Sequence, residues 1–237
     1  MNLEVWITDV EAAGSVSDAE INMLDATEMG MLKNIRLETE RKRYLLSRLL
    51  LRKALSHLIG GNPQDWRFER DRNGKPKLSA VHGAPNVDFN MSHSGNAVVV
   101  AVSSAGEVGV DVERIGDVEM RNAAVDGIYD SVFTERELES LKFQPGFSHA
   151  EDTLKMWTVK EAYAKLLGVD AALNVFDFEV APAPWRVMSS PTDLGPDETE
   201  TIHLETHELM FGDERYHLAL AARPVTGAAR PALLRLV

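Results

Sequence analysis

The chain has 237 residues, 37 Asp and Glu against 25 Lys and Arg, a formal net charge of −12 and no cysteine. The missing thiols exclude disulfides, thiolate zinc sites, iron–sulfur clusters and a cysteine nucleophile, so any metal must rest on oxygen and nitrogen donors. The acidic balance speaks against nucleic acid as a partner, since backbone-phosphate affinity comes from clustered Lys and Arg, and Arg41-Lys42-Arg43 is only a local basic run.

A chain of this length buries a core as one large domain or as two small lobes. The opening Met1-Asn2-Leu3-Glu4-Val5-Trp6 lacks the basic start and apolar stretch of a secretory signal. No apolar run comes near the roughly 20 residues needed to cross a bilayer. A cytoplasmic protein with no membrane partner is therefore expected.

Leu3 to Asp9 alternates as a first strand, and Glu38 to Leu58 is a long helix with Leu45, Leu46, Leu49, Leu50, Ala54 and Leu58 at helical spacing. The helix stops at Gly60-Gly61-Asn62-Pro63. Trp66 to Arg70 is a short strand before the turn Arg72-Asn73-Gly74-Lys75-Pro76, and further strands are expected at Val87 to Asn90, Ala97 to Ser103 and Glu107 to Glu113. Thr134 begins a helix through Leu141, with Glu137 completing a capping box, and Glu151 to Leu167 is a second helix stopped by Gly168. After the polar loop from Ser189 to Glu200, late strands are expected at Thr201 to Leu209 and Tyr216 to Ala222. The Pro- and Ala-rich end after Arg223 reads as peripheral. Strands and helices mix without regular βαβ alternation, which gives an α+β class.

Two stretches carry chemistry. In Gly109-Val110-Asp111-Val112-Glu113-Arg114 the strand period of two puts Asp111 and Glu113 on one face, and paired carboxylates suit a cation. A strand with one solvated face gives the same pattern without a ligand. In Trp157-Thr158-Val159-Lys160-Glu161-Ala162-Tyr163-Ala164-Lys165 the residues Trp157, Glu161 and Lys165 share one helical face, a pattern that a core Trp beside an ordinary Glu–Lys pair also explains. Trp157 and Tyr163 themselves read as core rather than catalytic, since large aromatics chiefly supply buried area.

The two stretches together, in this order and at this separation, resemble the paired signature of 4′-phosphopantetheinyl transferases. Arg43-Tyr44-Leu45-Leu46-Ser47-Arg48, Gly74-Lys75-Pro76 and Phe89-Asn90-Met91-Ser92-His93-Ser94 extend the likeness to the large monomeric, surfactin-synthetase-activating type. The resemblance implies two similar lobes, residues 1–103 and 104–237, related by a pseudo-twofold axis with the active site between them; the halves show no self-similarity of their own. It implies an enzyme that moves 4′-phosphopantetheine from coenzyme A to a serine hydroxyl of an apo acyl- or peptidyl-carrier protein, releasing 3′,5′-ADP. A non-catalytic coenzyme A binding module and a Mg²⁺-dependent hydrolase of the coenzyme's pyrophosphate are the alternatives. No P-loop or dinucleotide fingerprint is present.

By the same resemblance Asp111, Glu113 and Glu161 hold Mg²⁺, with Mn²⁺ as an alternative ion, which agrees with the preference of such ions for hard oxygen ligands. Glu161 is the candidate base, directly or through a water, and Lys165 contacts the phosphates and steadies developing charge. Arg43, Lys75, Ser92 and His93 are implied coenzyme contacts, His93 toward the 3′-phosphate, with Lys33 and Arg36 as a looser basic approach. Without the family, Lys75 reads as an exposed hairpin lysine and His93 as a structural hydrogen-bonder. The carrier is expected to dock near Gly116–Phe133, with Met120 the surface candidate and Val132 and Phe133 reading as core.

Overall fold

The computed structural model describes residues 3–71, 74–83, 86–116, 132–168, 178–182, 184–189, 202–224 and 233–237. Its helices and strands run β1 (Leu3–Asp9), α1 (Asp18–Ile21), α2 (Ala26–Asn34), α3 (Glu38–Ile59), β2 (Phe68–Arg70), β3 (Pro76–Leu78), β4 (Asp88–Ser94), β5 (Ala97–Ser103), β6 (Gly106–Arg114), α4 (Glu135–Lys142), α5 (His149–Leu167), β7 (Glu179–Ala181), β8 (Arg186–Ser189), β9 (His203–Phe211), β10 (Glu214–Pro224) and β11 (Leu233–Leu236). The class is α+β. Among the described residues no helix is long and apolar enough to cross a membrane.

Strand β5 explains the layering. Its sequence AVVVAVS is apolar at nearly every position and buried at all of them, the mark of a strand covered on both faces. One face, Val98, Val100 and Val102, packs on Leu50, Leu51, Ala54 and Leu55 of α3. The other, Ala97, Val99 and Ala101, meets Val108, Val110 and Val112 of β6 and Tyr216, Leu218 and Leu220 of β10. The sheet β11-β1-β5-β4 therefore lies on the sheet β6-β10-β9. The outer face of the second sheet, Ala219 and Ala221, is covered by Met156, Val159, Ala162, Tyr163 and Leu166 of α5. The order through these layers is helix, sheet, sheet, helix.

The helices form for different reasons. Capping boxes Ser17–Glu20, Asp25–Glu28 and Thr134–Glu137 start α1, α2 and α4, each satisfying orphan N–H groups at a helix start. Helix α3 has no side-chain cap and is held by its buried leucines, ending where Gly60 takes φ 77°. Glu28 does further work: its Oε2 accepts from Nε of Arg52 at 3.1 Å, while Arg52, fully buried on α3, also donates to the carbonyls of Pro63 and Trp66.

Two sequence expectations need correction. Among the described residues the end after Arg223 is not wholly peripheral, because Leu233–Leu236 pairs in parallel with β1, Glu4 opposite Leu233 and Ile7 opposite Leu236, and so covers an edge that would otherwise present unpaired N–H and C=O groups. Strand β4 does not stop at Asn90 but continues to Ser94, since pairing with β5, His93 opposite Val98 and Ser94 opposite Ala97, carries a polar stretch that has little strand propensity of its own.

Candidate active site

Strands β4 and β6 are edge strands of different sheets, and they meet through side chains. Every second residue of β4 turns toward β6. Asp88 Oδ2 accepts the N–H of Val108 at 3.0 Å, Asn90 Oδ1 that of Val110 at 3.2 Å and Ser94 Oγ that of Arg114 at 3.1 Å. These acceptors satisfy an edge that no neighbouring strand covers. The same row reaches the two carboxylates: Ser92 Oγ donates to Asp111 Oδ1 at 2.7 Å and Ser94 Oγ to Glu113 Oε2 at 2.9 Å.

Helix α5 closes the site from the other side. Lys165 Nζ lies 2.6 Å from Asp111 Oδ1 and 3.2 Å from Ser92 Oγ. Burial works to lower the Lys165 pKa, but Asp111, the hydrogen bond to it, and the charges of Glu161 and Glu113 outweigh burial and raise it, so the ammonium stays charged. Helix and strand come this close because residue 109 is glycine. A Cβ there would sit 2.1 Å from the carbonyl oxygen of Ala162 and 2.4 Å from the nitrogen of Leu166. Helix α5 is in turn anchored by Lys160, whose fully buried ammonium donates to both oxygens of Glu137, at 2.9 and 2.8 Å, and to the carbonyl of Phe178. Glu137 thus serves both as the capping residue of α4 and as the partner of the lysine next to Glu161.

Asp111 is 3% exposed, and its second oxygen, Oδ2, is buried with no hydrogen-bond partner among the described residues. Such an atom costs about 1–3 kcal/mol if nothing meets it. With Glu113 and Glu161 close enough to act on the same ammonium, the donor set is three hard oxygens, which fits a divalent cation of the Mg²⁺ type.

The face of β4 opposite Ser92 carries His93 toward the start of α3. Partial withdrawal from water and the charge of Arg43 lower its pKa, Glu40 opposes and Lys165 adds to the lowering, so the ring is neutral near pH 7. Arg43 donates to Glu40 through Nη1, while its Nε is buried without a partner among the described residues. Arg43, His93, Ser92, Lys165 and the three carboxylates are therefore gathered, from α3, β4, β6 and α5. Lys75 is placed differently. Its ammonium is 2.8 Å from Asp88 Oδ2 and 3.2 Å from the carbonyl of Val108, with a side chain only 7% exposed, at the end of β4 some four residues from Ser92, or about 13 Å along the strand. It is neither an exposed hairpin lysine nor part of the carboxylate cluster. Lys33 and Arg36 are exposed. Met120 and residues 117–131 of the expected docking segment lie outside the described residues; Phe133 is buried and Val132 packs against the same core. Tyr163 is fully buried, edge-on to Phe178, and Trp157 packs against that core too.

Sequence reasoning missed Asp88 and Asn90, although the period-two row Asp88, Asn90, Ser92, Ser94 is visible once β4 is given its full length. It also missed Gly109 as a contact point, which no local pattern reveals.

Two family models match the chain, one described as the 4′-phosphopantetheinyl transferase superfamily over residues 107–221 and one as 4′-phosphopantetheinyl transferase, N-terminal, over residues 15–105. Among curated proteins the chain is similar to the 4′-phosphopantetheinyl transferase HetI of Nostoc sp., 27% identical over 68% of this chain and 66% of that protein. It is 28% identical to the 4′-phosphopantetheinyl transferase psf-1 of Bacillus pumilus, over 84% of this chain and 76% of the relative. A 4′-phosphopantetheinyl transferase of Bacillus subtilis is 28% identical over 76% of this chain and 73% of its own length.

Proposed function

The chain belongs to the 4′-phosphopantetheinyl transferase superfamily, and from that premise we propose that it transfers 4′-phosphopantetheine from coenzyme A to a serine hydroxyl of an apo acyl- or peptidyl-carrier protein. The observation that carries this reading is the pairing of two orphaned buried atoms of opposite character: Asp111 Oδ2 awaits a cation and Arg43 Nε an acceptor such as a phosphate oxygen. In the reaction the serine Oγ bonds to the β-phosphorus, the bond from that phosphorus to the bridging pyrophosphate oxygen breaks, and 3′,5′-ADP leaves with the electron pair.

Asp111, Glu113 and Glu161 would hold Mg²⁺, which supplies charge neutralisation of the pyrophosphate when bound. Glu161, on the turn before Lys165, takes the serine proton. Lys165, held charged by its acidic neighbours, moves from Asp111 toward the equatorial oxygens as negative charge builds there. Ser92 already donates to Asp111 and keeps that carboxylate oriented. Arg43 and the neutral His93 face the coenzyme's 3′-phosphate. Lys75 acts on the coenzyme only by leaving Asp88, and as it stands it braces β6 against β4.

The lobe reading, residues 1–103 and 104–237 about a pseudo-twofold axis, is supported by the helix–sheet–sheet–helix order. Strand β11, which returns to the first sheet, is the exception to that division. The reading carries with it a cytoplasmic monomer and a carrier docking near Gly116–Phe133.

The test is incubation with coenzyme A, Mg²⁺ and a panel of apo-carrier proteins, followed by mass spectrometry. The expected result is the phosphopantetheine increment on a carrier serine, absent with EDTA. Release of 3′,5′-ADP without any modified carrier would instead favour pyrophosphate hydrolysis, and neither product would reduce the protein to a binding module.

A further inference from the structure

We infer that Glu151, Glu208 and His217 form a second cation site, one that binds a divalent transition-metal ion of the Zn²⁺ class. The site is built across α5, β9 and β10. His217 lies directly opposite Glu208 in the β10–β9 ladder, and Glu151 reaches down from the first turn of α5. One ligand atom from each residue lies within 4.8 Å of the other two.

An acidic pair on a surface is commonplace; the histidine is what distinguishes this one. Its side chain is 4% exposed, and its Nε2 is buried with no hydrogen-bond partner among the described residues, 3.7 Å from Glu151 Oε1 and so beyond hydrogen-bond range. Burial and the charge of Lys155 push the His217 pKa down to about 4, with Arg215 adding and Glu208 and Glu151 opposing. The ring is neutral near pH 7, so Nε2 can offer its lone pair to an ion held beside the two carboxylates. A cavity of about 240 Å³ opens beside it, lined by His217, Glu208, Thr206 and Trp185, with room for an ion and its water.

Two carboxylate oxygens and one imidazole nitrogen, with a position left for water, suit Zn²⁺ and its neighbours better than Mg²⁺, which favours oxygen alone. Tetrahedral bonds of roughly 2.1 Å require the donors to close to about 3.4 Å from one another, a shift that rotation of the half-exposed Glu208 supplies. Lys155 and Arg215 now contact Glu151 Oε1 at 3.2 and 3.0 Å. Both are long and partly exposed, and each has a second acid in reach, Asp152 for Lys155 and Glu208 Oε2 for Arg215. The ion therefore releases them without stranding either charge. Once bound, it ties α5, which carries Glu161 and Lys165, to the β9–β10 hairpin.

The site is separable from the carboxylate cluster by experiment. Chelator-treated full-length protein, free of coenzyme A and Mg²⁺, is titrated with Co²⁺ and read by its visible d–d absorption, and with Zn²⁺ by calorimetry. The expected result is one ion per chain in the Asp111→Asn/Glu161→Gln double variant, which disables the carboxylate cluster and is the background for the other substitutions. Binding should weaken by more than the tenfold typical of losing an outer hydrogen-bond partner in His217→Ala and in Glu208→Gln. Glu208 is exposed, so its substitution tests the site even if His217→Ala fails to fold. The inference is overturned if the Asp111→Asn/Glu161→Gln variant binds no stoichiometric ion, or if its binding is unchanged when Glu208→Gln is added to it.

Discussion

Asp111 is the residue on which the candidate site converges. One of its oxygens accepts from both Ser92 and Lys165 and the other is buried and unmet, so the side chain is already turned and charged for a cation before one arrives. Asp111→Asn keeps the shape and removes the charge, and kcat/KM for transfer should fall by about 100-fold or more, the scale of losing one preorganised electrostatic contact. Full activity in the folded variant would remove Asp111 from the mechanism. Lys165→Ala should lower kcat while leaving KM for coenzyme A nearly unchanged, because the ammonium is spent on Asp111 in the ground state and gains its phosphate partner as charge develops. A raised KM at unchanged kcat would make Lys165 a binding residue only. Removing Lys165 also leaves the buried Asp111 without its cation, so stability should drop by about 3 kcal/mol in metal-free buffer, measurable by urea unfolding. Period and spacing showed only that Asp111 and Glu113 share one face and Glu161 and Lys165 another; their joint role in one site came from the family resemblance. The engagement of Lys75 with Asp88 was not, because a turn lysine shows its burial only once β6 is folded over it.

At the scale of elements the decisive contact is that of α5 on β6. Its closeness is set by Gly109, where a methyl group would meet backbone atoms that cannot move aside. Gly109→Ala should therefore cost about 3 kcal/mol and reduce transfer in whatever fraction stays folded, by moving Glu161 and Lys165 off Asp111. Gly30→Ala, where among the described residues no atom beyond the helix's own backbone and its chain neighbours lies within 4 Å of the added carbon, is the control and should not lower the melting temperature. Equal behaviour of the two variants would show that the helix tolerates a wider gap. Elements with strong local signals were read from sequence almost to the residue, as with Leu3–Asp9, Ala97–Ser103 and the Thr134–Glu137 box. Helices α1 and α2 went unread although Ser17–Glu20 and Asp25–Glu28 are capping boxes. Neither is followed by a strong apolar periodicity, and α2 is fixed by α3, through Arg52 on Glu28 and the cluster of Leu32 with Leu45 and Leu49.

At the scale of the molecule, Tyr216 joins the sheets. Its hydroxyl accepts the N–H of Asn96 in the β4–β5 turn and donates to Glu214, which also pairs with Arg114 at the end of β6. Burial, and next the hydrogen bond to Glu214, raises its pKa from 10.0 to about 12. The fold thus holds the phenol protonated where the unfolded chain releases the proton. The resulting stability is complete below pH 10 and is lost as pH rises toward 12, by on the order of 2–3 kcal/mol. Tyr216→Phe should be less stable at neutral pH by about 1–3 kcal/mol through the unsatisfied N–H of Asn96, and its stability should fall less steeply between pH 10 and 12 than that of the parent. Parallel curves for the two proteins would mean that another group governs the alkaline limb.

The sequence by itself determined which residues share a face and what kind of chemistry they can do. Alternation put Asp111 with Glu113, and helical spacing put Glu161 with Lys165; hard oxygens and a lysine follow from residue type alone. Tertiary structure decided what each face meets. Lys165 reaches Asp111 across 54 positions of chain and Ser92 across 73, and the row from Asp88 to Ser94 acquires its purpose only because β6 lies beside it without joining its sheet. The glycine that sets the helix distance, the parallel return of β11 and the meeting of Glu151, Glu208 and His217 are of the same kind. A local period fixes the direction in which a side chain leaves its own backbone, whereas the partner it finds depends on contacts between distant segments, whose energies no single stretch of sequence contains.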